Sequence, residues 1–274
     1  MLAILITLAA GASAIGWILS QSWRDRRRRD KIRAKPFPKE WRTILKKRMP
    51  YFRSLPSDLQ LQLKKHIQVF LAEKQFVGCD GLEIDDEIRL TIAAQACLLL
   101  LNRQTDYYPN LRQILVYPSA FIVRQQQRDA NGLEWHSQRL LAGESWGQGK
   151  VVLSWQNTLD DAADPADGRN VVIHEFAHQL DQEAGDANGA PRLGEFNAYP
   201  VWSQVLGQEF AKLQAQAASS EPSLFSYYGA TNPAEFFAVI SEVFFEQPQQ
   251  MRADYPALYQ ELSRFYRLDP LSWH

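Results

Sequence analysis

Apolar positions along this chain change their period several times, and each change marks an element. Residues 1–19 are almost wholly apolar and uncharged, a length near the lower limit for crossing a bilayer as a helix. A basic run follows, Arg24-Asp25-Arg26-Arg27-Arg28-Arg29, with Lys31, Arg33 and Lys35 close behind. A cleaved secretory leader carries its positive charge before the apolar core, not after it. The pattern therefore predicts an anchor helix over residues 1–23, its start outside and its basic flank in the cytoplasm. Residues 24–38 then form a basic juxtamembrane linker ending at Pro36-Phe37-Pro38, with anionic lipid headgroups as its partner. The expected location is a cytoplasmic domain held at the inner (plasma) membrane.

From Lys39 to about Arg103 the spacing is helical. Pro56-Ser57-Asp58 offers a start for a helix carrying Leu59, Leu61, Leu63, Ile67 and Phe70, and a second helix runs from about Asp86 to Leu101. The period then shortens. Ile114–Tyr117 and Phe121–Val123 flank a Pro118-Ser119 turn, Leu133–Leu141 forms another strand, and Val151–Trp155 a further one. Residues 143–149 read as a loop. The strand at Val151 precedes an apolar helical run, and its edge could accept an extended peptide or lie covered by a loop. Asp161–Asn170 is a polar loop into that helix, which Gly185, Asn188 and Gly189 should break. Another amphipathic helix spans about Tyr199–Ala218.

Composition narrows the class. The 274 residues are 46% hydrophobic and 22% charged with net charge −1, a globular balance that offers no bulk attraction for nucleic acid. Two cysteines, Cys79 and Cys97, make no disulfide framework and fit a reducing compartment.

The chemistry sits in Val171-Val172-Ile173-His174-Glu175-Phe176-Ala177-His178-Gln179-Leu180-Asp181. On a helix, positions i and i+4 stack on one face. His174 and His178 can thus share one metal ion, with Glu175 beside the open position to accept a proton from water. The competing explanation is a pair of core histidines, which burial without partners makes costly. Asp181 falls on the same side, either orienting a ligand histidine or simply solvated.

Zinc needs a third protein ligand. The segment from Ser226 to Glu242 is the richest source. Asn232 suits an N-cap and Pro233 the first helical turn, which puts Glu235 where a glutamate can close a capping box. Glu235 is thus either ligand or cap. Glu242, two turns on, is the rival ligand or a supporting acid. A tyrosine at Tyr227 or Tyr228 could donate to a developing oxyanion or only pack.

Taken together, His174-Glu175-Phe176-Ala177-His178-Gln179-Leu180-Asp181, Tyr228 through Ala238 and Ser241-Glu242-Val243-Phe244-Phe245 resemble the Mlc titration factor A family of zinc peptidases. So do Gly143 through Trp155 and the tail Phe265–Pro270. The Tyr-to-Glu segment is also similar to the catalytic domain of anthrax lethal factor, a gluzincin-type protease. The resemblance implies His174, His178 and Glu235 as ligands of one Zn2+, Glu175 as base and Tyr228 as oxyanion donor, with Asp181 and Glu242 behind them. It implies a zinc metallopeptidase, aminopeptidase-like, acting on a peptide or protein substrate. In enterobacteria the family member binds a glucose-responsive transcriptional repressor, so a regulatory protein that sequesters such a partner is the alternative. The apolar start departs from that soluble relative. The expected fold is α+β and zincin-like: mainly helical, with a small, largely antiparallel sheet and an N-terminal anchor. Residues 39–274 would form the peptidase domain, helical over about 39–105 and catalytic over about 106–274.

Overall fold

The computed structural model describes residues 17, 20–128, 134–141, 143–146, 149–164, 166–194 and 196–273. Most of the anchor segment proposed above lies outside these residues. Among the described residues, no helix is long and apolar enough to cross a membrane.

The basic run is helical. Helix α1 (Gln21–Arg33) lies against the domain, with Arg29 bound to Glu73 at 2.9 Å and to Asp106 at 2.9 Å. Two helices follow, α2 (Lys39–Arg48) and α3 (Ser57–Glu73), and α3 buries Leu59, Leu63, Ile67 and Phe70, while Leu61, two positions from each of its apolar neighbours, falls on the outer face and is exposed. A short strand, β1 (Gln75–Gly78), interrupts the stretch expected to be all helix. Four residues are too few to display a two-residue period. Helix α4 (Asp86–Leu98) is capped by Asp85, which accepts from the backbone N–H of Ile88 at 2.8 Å; such a cap satisfies a donor that the helix start leaves open.

The sheet corrects the expectation of antiparallel pairing. Its order is β1-β2-β6-β5, where β2 is Gln113–Tyr117, β5 Gly143–Trp146 and β6 Lys150–Ser154. β1, β2 and β6 run parallel, and only β5 is antiparallel to β6. The cause is connection length: α4 lies between β1 and β2, and a long crossover returns the chain in the same direction. The Pro118-Ser119 turn does not close a hairpin between its flanking strands. Instead β3 (Phe121–Arg128) pairs with β4 (Glu134–Leu141) as a separate antiparallel ribbon. Residues 143–146, expected in a loop, form β5. β6 therefore lies inside the sheet between two neighbours, and the edge beside it belongs to β5. The burial of Val151, Val152, Leu153 and Ser154 agrees with a strand covered on both faces.

Beyond β6 come α5 (Trp155–Ala163), α6 (Val171–Asp181), α7 (Tyr199–Ser219), α8 (Pro233–Glu246), α9 (Pro248–Asp254) and α10 (Pro256–Tyr266). α8 is buried nearly all round, Phe236, Phe237, Phe244 and Phe245 included, which marks it as the core helix of this half. α6 turns Phe176 into the N-terminal half, with ring centroids 5.7 Å from Phe70 and 4.9 Å from Tyr108. One face of α6 is thereby fixed in apolar packing, and its histidine face is turned to α8. Cys97 is buried in this core.

Candidate metal centre

Helix α6 starts on Asn170, whose Oδ1 accepts from the backbone N–H of Ile173 at 3.0 Å. One turn on, His174 and His178 meet edge to face, with ring centroids 4.9 Å apart. Helix α8 starts on Asn232, whose Oδ1 accepts from the backbone N–H of Glu235 at 3.0 Å. The Glu235 carboxylate is turned across to α6. Its Oε2 lies 3.0 Å from His174 Nε2 and 3.2 Å from His178 Nε2. The structure thus brings together three side chains from segments about sixty residues apart, with one donor atom from each lying within 4.8 Å of the others.

Electrostatics decide what that cluster needs. Glu242 is buried, and its Oε1 sits 2.7 Å from His174 Nδ1 while its Oε2 accepts from the backbone N–H of Asn170 at 2.6 Å. A carboxylate can only accept, so His174 presents its proton on Nδ1. Its Nε2 faces the Glu235 carboxylate, and His178 Nε2 faces the same oxygen. Electron-rich atoms so placed call for a cation. Burial opposes charge on His174, but Glu242, Glu235 and Glu175 outweigh it and hold its pKa well above the ordinary imidazole value. Burial likewise raises the Glu235 carboxyl, but the two imidazoles overcome this and hold its pKa well below the usual range. Metal bonds of about 2.0–2.2 Å at tetrahedral angles would separate ligand atoms by about 3.3 Å. The observed separations are close to that, and imidazole nitrogen with carboxylate oxygen suits a divalent metal. The residues present therefore fit a metal ion.

The other residues singled out in the sequence fall around this cluster. Glu175 is buried on α6, 4% exposed. The Tyr228 ring centroid lies 5.9 Å from that of His174, whereas the Tyr227 hydroxyl donates to the Glu221 carbonyl. Asp181 is fully buried and its Oδ2 accepts from the backbone N–H of Gly189 at 2.7 Å. Burial raises its pKa, against the Gly189 N–H and the charge of His178. Asp181 thus ties the end of α6 to the following loop.

Two contributors went unnoticed in the sequence. Asn170 joins three partners: it caps α6, gives its N–H to Glu242, and donates Nδ2 to Glu246 Oε1 at 2.9 Å. Its signal was a cap residue directly before an apolar helix. Gly189 has φ +77°, and a Cβ there would come within 2.4 Å of the Pro233 carbonyl oxygen. Its carbonyl also accepts from Trp202 Nε1 at 2.9 Å. Only a residue without a side chain lets the loop from α6 pass this close to the start of α8.

Comparison with known proteins gives the family. The family model described as glucose-regulated metallo-peptidase M90 matches residues 21–267. An uncharacterised protein of Synechocystis sp. is 41% identical over 270 residues, 98% of each chain. Mlc titration factor A of Yersinia pestis and of Yersinia pseudotuberculosis is 34% identical over 236 residues, 85% of this chain and 86% of theirs. With the family model covering most of its length and these relatives aligned, the chain belongs to the glucose-regulated M90 family of metallopeptidases.

Proposed function

We propose that the protein is a zinc-dependent peptidase in which His174, His178 and Glu235 hold one Zn2+. The observation that carries this reading is the convergence of both Nε2 atoms on one Glu235 oxygen, at 3.0 and 3.2 Å. When bound, zinc polarises a peptide carbonyl and acidifies water at its open position. Glu175 accepts a proton from the attacking water and delivers it to the leaving amine. The Tyr228 hydroxyl donates a hydrogen bond to the carbonyl oxygen as it gains charge. Glu242 holds the His174 ring in its tautomer through Nδ1. Asp181 keeps the loop after α6 against α8. The edge of β5 takes the substrate as an added strand, since an edge offers unsatisfied backbone groups to an extended peptide.

The test is Glu175→Gln in the full chain. Zinc should remain at one ion per chain while peptide hydrolysis falls by about 10²–10⁴. Undiminished turnover, or no chelator-sensitive hydrolysis in the parent, rejects the mechanism. An aminopeptidase-like preference belongs to the same reading, and peptides with free and blocked N-termini test it.

A regulatory role is the second reading, favoured by the name of the Yersinia relatives, which assigns them the titration of Mlc. A repressor of that kind should then bind this chain as tightly after Glu175→Gln as before. Membrane attachment by the segment before Ser20 is part of the proposal too. Exposed Trp17 and Trp23, each with an arginine over its ring at 3.9 and 4.0 Å, support it. Full recovery in the soluble fraction after cell lysis counts against it.

A further inference from the structure

A second site lies beyond the metal cluster. A cavity of about 790 Å³ opens where the turn after α6 meets the end of α10 and the segment following α4. Arg103, Arg192, Arg264 and Arg267 line it. Two of the charges there are already matched: Arg264 pairs with Glu261 at 2.6 Å, and the lining Asp106 pairs with Arg29 at 2.9 Å. Three guanidinium groups, those of Arg103, Arg192 and Arg267, then face one lining carboxylate, Glu183.

Arg103 is the most telling of these. Its guanidinium lies over the Phe265 ring, 4.3 Å from the centroid. Its Nη1 is shut off from water and has no hydrogen-bond partner among the described residues. Burial pushes its pKa below the ordinary guanidinium range, against attraction from Tyr266 and Glu183. A buried cationic donor left unmatched opposes folding unless an anion completes it. Arg267 adds a second oddity. It ends α10 at φ +56°, a position where glycine is the unstrained choice, yet an arginine stands there and contributes to the cavity wall.

We propose that this cavity binds a small phosphorylated metabolite. Planar guanidinium groups match phosphate oxygens in pairs, and an excess of two positive charges suits a phosphate dianion. The volume falls within the usual range for a small organic ligand, so the anion would not be alone in it. Glu183 lies in the turn that continues α6, so occupancy touches the end of the helix that carries both histidines.

The experiment uses full-length protein with pyrophosphate as the probe, titrated by calorimetry at fixed ionic strength. Saturable one-site binding is expected, weakened about tenfold or more by Arg192→Gln and by Arg267→Gln. Both residues are exposed, so neither variant endangers the fold as Arg103→Gln does. A His174→Ala/His178→Ala double variant must still bind. The proposal fails if there is no saturable binding, if both arginine variants bind within twofold of the parent, or if binding vanishes with the histidines.

Discussion

His66 and His174 are both largely closed to water and meet opposite fates. His66, on α3, is 8% exposed and its Nδ1 lies 2.9 Å from the Tyr107 hydroxyl. That hydroxyl accepts from Arg33 Nη2 at 2.8 Å, so the tyrosine donates to an unprotonated imidazole. Burial, aided by Arg33, pushes the His66 pKa down to about 4. His174, on α6, has a side chain 12% exposed but carboxylates on both ring nitrogens, and its pKa is driven the other way. Burial alone makes an imidazole neutral and structural. What marks the α6 site is a second acid, Glu235, aimed at the ring nitrogen that Glu242 does not hold.

The comparison breaks first at Glu235. Glu235→Ala removes the carboxylate that both Nε2 atoms share, and zinc content by elemental analysis should fall from one per chain towards none, taking hydrolysis with it. Full zinc retention would mean that Glu235 is merely a helix cap. Next in size is Tyr228→Phe. The ring keeps its place beside His174 while the hydroxyl is lost, and kcat should drop about 10²–10³ with little change in KM. The same change at Tyr227, whose hydroxyl is engaged with Glu221, should leave kcat alone.

The α6 site was legible because its information is local. Four-residue spacing set the histidines on one face, and Asn232-Pro233 set the start of α8 and thereby the position of Glu235. What local pattern left open was direction. Whether Glu235 turns to the histidines or only caps, and which of Tyr227 and Tyr228 lies beside His174, depend on where side chains turn, and that follows from the packing of α8 on α6. The parallel sheet was not legible, since β1 is four residues long and strand direction depends on the crossover through α4. The arginine cavity was invisible for the same reason. Arg103, Arg192 and Arg267 are scattered in sequence and meet only when three segments are packed. Gly189 looked like a helix breaker, and its contact with Pro233 is a long-range fact.

Glu242→Gln sharpens the comparison, since it makes His174 more like His66 by removing one charge. The carboxylate gives Nδ1 and the Asn170 N–H an oxygen each, whereas the amide has one oxygen and can accept from only one of them in this geometry. Zinc affinity should weaken by about 10–100-fold, the usual cost of altering a group that orients a ligand histidine. Competition with a chromophoric chelator measures it. An unchanged affinity would show that geometry, not charge, is what Glu242 supplies.

His66→Gln has the smallest effect on activity, none at neutral pH, and tests the other half of the comparison. The unfolded chain binds a proton at His66 near pH 6.5, the folded chain only near pH 4. Between those values the unfolded state holds more protons, so this group's contribution to stability falls as pH drops from 6.5 towards 4 and is flat on either side. The shift corresponds to roughly 3 kcal/mol over the whole window. The physical cause is specific: a protonated Nδ1 cannot accept from Tyr107, and the new charge sits near Arg33. Denaturant melts of parent and variant at pH 7, 5.5 and 4 should therefore converge as pH falls if the variant is the less stable at pH 7, because the parent alone loses this contribution. Parallel curves would mean that His66 is as easily protonated in the fold as out of it, and that burial does not separate the two histidines.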